Sequence, residues 1–74
     1  MYVVDRCEGM MPNQAFGTLN GKPFYFRARH GMWALRETNA LGDVLANGCH
    51  DSAGWWEPEE ALLFVKKVLE QYGA

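Results

Sequence analysis

Asn20-Gly21-Lys22-Pro23-Phe24-Tyr25-Phe26-Arg27-Ala28-Arg29-His30-Gly31-Met32-Trp33-Ala34-Leu35-Arg36 decides the fold, because two tight-turn dipeptides bracket a strand that carries both aromatic and arginine side chains. Asn20-Gly21 suits a type I′ hairpin turn, which needs positive φ at both central residues, and His30-Gly31 suits a second. With His30-Gly31 as a two-residue loop, Arg29 faces Met32, Ala28 faces Trp33, Arg27 faces Ala34, Phe26 faces Leu35 and Tyr25 faces Arg36. Side chains alternate along a strand, so Phe24, Phe26, Ala28, Trp33 and Leu35 share one face. Tyr25, Arg27, Arg29, Met32, Ala34 and Arg36 share the other. Carried back through Asn20-Gly21, the same register puts Ala15, Gly17 and Leu19 on the apolar face and Phe16 and Thr18 on the basic face, with Phe16 opposite Tyr25.

A helix is expected to cover the apolar face. Glu57-Pro58-Glu59-Glu60 has the marks of a helix start: proline at the first helical position, and carboxylates at the positive end of the dipole. The helix is expected to run to about Tyr72 and to end at Gly73 in the left-handed conformation. At 100° per residue, Ala61, Leu62, Phe64, Val65, Val68, Leu69 and Tyr72 form an apolar arc, expected to lie on Phe24, Phe26, Trp33 and Leu35. Leu63 falls outside the arc, among Glu59, Lys66, Lys67 and Glu70, and is either a lone exposed leucine or part of an interface.

Seventy-four residues imply one domain, 1–74. A core this small supplies about 3–5 kcal/mol unless a metal, a disulfide or a second subunit adds to it. Because aromatic residues make up 14% of the chain and hydrophobic residues 49%, more apolar surface is present than so small a body hides. A homodimer or a standing protein partner is the expected cover, over Leu63, Phe16 and one of Trp55 or Trp56. A net charge of −2 argues for neither a nucleic-acid nor a membrane partner as a whole-molecule effect. No signal peptide or membrane-spanning run is seen, which sets the expected location as the cytoplasm. In a reducing compartment Cys7 and Cys49 are expected to be free thiols.

The remaining segments are less constrained. Tyr2-Val3-Val4 is a candidate edge strand, and Glu8 to Asn13 reads as a loop. Between Thr38 and Trp56, Leu41, Val44 and Leu45 suit a short strand or a turn of helix, followed by a loop rich in Gly, Asn and Ser.

The chemistry-bearing clusters are weak. Cys49-His50-Asp51 holds the residue types of a nucleophile, base and orienter, but sequence neighbours on extended backbone point apart. Cys7, His30, Cys49 and His50 match no structural zinc spacing. Glu59 and Glu60 diverge as adjacent helical residues and do not form an acid–base pair. No phosphate-binding glycine loop is visible. The expectation is therefore a protein without catalytic residues, metal or cofactor.

The arginine–aromatic face has three readings. Single-stranded nucleic acid uses such faces, through phosphate contacts and base stacking. Protein partners use them too, since Arg, Tyr and Phe are common at interface hot spots. The third reading is a solvated face over which arginine stems lie while their heads stay in water. The candidate contact residues are Phe16, Tyr25, Arg27, Arg29 and Arg36 on the sheet, and Glu59, Glu60 and Leu63 on the helix.

The hairpin Asn20 to Arg29, Trp33 in the returning strand and the helix start Trp56-Glu57-Pro58-Glu59-Glu60-Ala61 resemble small phage and mobile-element proteins of the anti-CRISPR type, over roughly the last sixty residues. The resemblance implies a compact, acidic, non-enzymatic inhibitor that binds a nucleic-acid-processing complex of the host, such as a CRISPR effector. The expected fold is α+β: a three- or four-stranded antiparallel sheet with one C-terminal helix packed on one face. The expected function is protein binding, with a small single-stranded nucleic-acid-binding module as the alternative.

Overall fold

The structure is a computed structural model that describes residues 1–73. Its elements are β1 (Tyr2–Glu8), β2 (Asn13–Leu19), β3 (Lys22–Arg29), β4 (Met32–Glu37), β5 (Val44–Cys49) and α1 (Pro58–Gly73). The strands form one antiparallel meander in sequence order. Both turns adopt the expected geometry, with φ of 53° and 83° at Asn20 and Gly21 and of 54° and 79° at His30 and Gly31. The register follows: Arg29 pairs with Met32, Arg27 with Ala34, Tyr25 with Arg36 and Phe16 with Tyr25.

Five strands form where three or four were expected. β1 continues past Val4 to Glu8 through a bulge at Asp5, and Val44–Cys49, where Val44 and Leu45 suit a short strand or a turn of helix and Asn47 and Gly48 suit a loop, is a strand throughout and pairs with β4. That pairing depends on Gly48. A Cβ there would stand 2.9 Å from Trp33 Cζ2, so the missing side chain leaves room for the indole to lie across the strand. In return, β5 satisfies the backbone groups that β4 would otherwise leave as a bare edge.

The helix start is as expected, with a side-chain cap: the Glu57 N–H donates to Glu60 Oε1 at 3.3 Å. Ala61, Val65, Val68 and Leu69 are buried. The helix axis lies against β1 and β2 rather than centrally over β3 and β4. Aromatic rings fill the difference. Trp56 stacks on Phe64 with centroids 4.6 Å apart, and Phe64 meets Trp33 edge-on at 5.5 Å and Phe26 at 6.2 Å. Two expectations at the helix end fail. Tyr72 is 47% exposed and lies off the buried arc. Gly73 is the last helical residue and is not among the glycines with positive φ; its value is space, since a Cβ would stand 2.5 Å from Leu19 Cδ1.

A buried polar clamp sets where the helix begins. The Asn13 side chain, 1% exposed, donates from Nδ2 to Gly9 O at 2.7 Å and to Trp56 O at 2.9 Å, while its Oδ1 accepts the Trp56 N–H at 3.2 Å. One amide thus joins β2, the loop before it and the residue preceding the helix cap. Farther along, the Tyr2 hydroxyl donates to Glu70 Oε2 at 2.8 Å, tying β1 to the helix, and this bond raises the Tyr2 phenol above its usual pKa.

Phe26→Ala should lower stability by about 3–5 kcal/mol through transfer and cavity terms, a loss comparable to the whole stability of a domain this size. Asn13→Ala should cost about 2–4 kcal/mol by leaving three backbone groups without their partner. Urea titrations followed by tryptophan fluorescence check both, with Leu63→Ala as a control expected within about 0.5 kcal/mol of the wild type.

Candidate partner-binding face

One sheet face carries the helix; the other carries none. By the pleat, the uncovered face presents Phe16 and Gln14 from β2, Tyr25, Arg27 and Arg29 from β3, Met32, Ala34 and Arg36 from β4, and Val44, Asn47 and Cys49 from β5. Arg6 joins them from beyond the β1 bulge, with its guanidinium carbon 4.8 Å from the Phe16 ring centroid. All four arginines of the chain therefore stand on this face.

Their partners are unequal. Arg6 pairs with Glu8, the single ion pair among the described residues. Arg36 is half-buried and donates from Nη1 to Gly42 O at 2.9 Å, which holds the 38–43 loop. Thr38 enters that loop with φ of 71°, unusual for a β-branched residue, and its N–H donates to Pro23 O at 2.9 Å. Arg29 is exposed, and its Nε donates to His30 Nε2 at 3.0 Å. Arg27 is exposed, with no ion-pair partner among the described residues.

Between these groups runs a trough of about 580 Å³. Arg27 and Arg29 on β3 form one wall, and Val44, Asn47 and Cys49 on β5 the other. Ala34 on β4 is the low point of the floor, with Met32 and Arg36 on either side of it along the strand. Ala40 of the loop closes the Arg36 end, and His30 stands at the other.

The aromatic residues of this face are less available than expected. Tyr25 is 5% exposed; its ring packs against Phe16 at 5.2 Å and its hydroxyl donates to Gln14 Oε1 at 2.9 Å. Phe16 is half-buried beneath Arg6. Phe16 supports Arg6, and neither ring offers an open face of its own. On the helix, Glu60 is engaged in the cap, Glu59 is exposed, and Leu63 is 70% exposed and distant in the fold from the trough. Trp55 is 58% exposed, whereas Trp56 is buried in the core.

Cys49, His50 and Asp51 do not converge. Cys49 lines the trough, whereas the His50 ring packs on Trp56 at 5.1 Å and on Phe64 at 5.4 Å, with Nδ1 accepting the Ser52 N–H. No group of three or more His, Cys, Asp or Glu residues able to hold a metal ion occurs among the described residues. No helix among them is long and apolar enough to cross a membrane. Comparison with family models, curated proteins and solved structures finds no significant match.

The two thiols are free and differ in setting: Cys49 is exposed, and Cys7 is half-buried with Sγ 3.8 Å from Pro58 O. Burial, then the charge of Glu8, pushes the Cys7 thiol above its usual pKa. Iodoacetamide should therefore label Cys49 first at neutral pH, with Cys7 labelling rising only at a more alkaline pH than an ordinary thiol requires. Peptide mass mapping over a pH series measures both rates.

Proposed function

We propose that this protein is a non-enzymatic binding module whose uncovered sheet face docks an acidic surface of a protein partner. The observation that carries this reading is the trough walled by Arg27 and Arg29, exposed guanidinium groups without carboxylate partners among the described residues. Cations held together without counter-charge repel one another, and an anionic partner relieves that repulsion while gaining charge-assisted hydrogen bonds. The protein partner is favoured over single-stranded nucleic acid because sequence-independent strand binding relies on open aromatic faces for stacking. Here Tyr25 is buried and Phe16 lies beneath Arg6.

In the setting that the resemblance to anti-CRISPR-type proteins points to, the partner is a component of a host nucleic-acid-processing complex in the cytoplasm. The module then acts by occupying a surface, without chemistry of its own.

Replacing Arg27 and Arg29 together by serine should leave the fold intact, with a melting temperature within about 2–4 °C of the wild type, since exposed side chains contribute little to stability. The same variant should lose the partner that the wild type retains in affinity capture from host lysate, identified by mass spectrometry. A mobility-shift titration with a single-stranded oligonucleotide at low and high salt tests the alternative. A strong, salt-sensitive shift in the wild type would replace the protein partner with nucleic acid.

A further inference from the structure

We infer that the occupant of the trough is an extended segment in which acidic and uncharged residues alternate. This rests on the uncovered face being the contact surface, and adds to it the shape and pattern of what binds.

The shape follows from the walls. β3 and β5 flank β4, so the two walls rise from backbones about 9.5 Å apart, two inter-strand spacings. An α-helix with its side chains is about 10–12 Å across and does not enter such a channel. An extended chain does.

The pattern follows from the chemistry of the walls. Successive same-side residues of an extended chain repeat every 6.6–6.8 Å or so, the spacing at which Arg27 and Arg29 follow each other along β3. The opposite wall, Val44, Asn47 and Cys49, bears no charge. Alternate residues of an extended segment point to opposite walls, so acids at positions i and i+2 face Arg27 and Arg29, while the residues between them face β5. Ala34 is what keeps the channel open, because its methyl group leaves the floor low between Arg27 and Asn47, with which it pairs on either side.

Two fluorescein-labelled peptides of one composition test the idea by anisotropy: Glu-Val-Glu-Thr-Glu-Val, with alternating charge, and Glu-Glu-Glu-Val-Thr-Val, with the acids in a block. The alternating peptide should bind about tenfold more tightly, and Arg27→Ser or Arg29→Ser should each weaken it about tenfold, the scale of one charge-assisted hydrogen bond. Ala34→Phe should abolish binding without touching a charge, its fold checked by circular dichroism. Independently of any variant, the bound alternating peptide should slow alkylation of Cys49 and leave Cys7 unaffected. Equal binding of the two peptides, both dependent on the arginines, would overturn the alternating pattern and leave the basic contact surface standing. Binding that survives Ala34→Phe, or that leaves Cys49 alkylation unchanged, would overturn the trough as the seat. Tighter binding of a fifteen-residue oligothymidylate than of either peptide would overturn the protein-partner reading itself.

Discussion

The constraint on which the rest depends is the pairing register imposed by two type I′ turns. Side chains on a strand repeat every two residues, so a slip of one position between β3 and β4 would carry Phe24, Phe26 and Ala28 to the uncovered face and drive Arg27 and Arg29 into the core face. The burial of unpaired guanidinium groups would cost far more than the sheet gains by pairing. Asn20-Gly21 and His30-Gly31 hold the register because a two-residue loop permits one alignment of its flanking strands. Core and uncovered face are therefore two outcomes of a single geometric choice.

That choice is local, which is why it is legible in the residues themselves. The β2–β3–β4 alignment, the two faces, and the helix start at Pro58 all follow from neighbours within a few positions. β5 is different. Val44–Cys49 has the glycine and asparagine of a loop, and it becomes a strand because β4 needs a partner and the Trp33 ring needs the space that Gly48 leaves. Asn13 is likewise unreadable from its surroundings. Beside Pro12 it looks like a turn residue, and its role appears only when Trp56, forty-three positions away, arrives to share its amide.

The candidate face divides along the same line. Its alternation marked Arg27, Arg29 and Arg36, but whether each would be free, capped or covered depended on elements not yet placed. Arg36 turns out to hold the 38–43 loop, and Tyr25 is buried against Phe16 with its hydroxyl on Gln14. Arg6 was missed because the bulge at Asp5 shifts the β1 register by one residue and brings that side chain over Phe16. An Arg-x-Glu pair in a strand-like stretch was the available signal, since residues two apart share a face.

The separation of charge has a consequence for encounter kinetics. With every arginine on one side of the sheet, and Glu57, Glu59, Glu60 and Glu70 outnumbering Lys66 and Lys67 on the helix side, charge is spread unevenly over a molecule whose net charge is −2. A slightly acidic protein would be expected to drift away from an acidic target. Here the field is uneven over distances comparable to the Debye length of about 8 Å at physiological salt, so the torque acts only in the last stage of approach. Near an acidic surface of the kind proposed for the partner, such a field would turn the protein arginine-side first, so that collisions beginning in the wrong orientation would be corrected rather than lost.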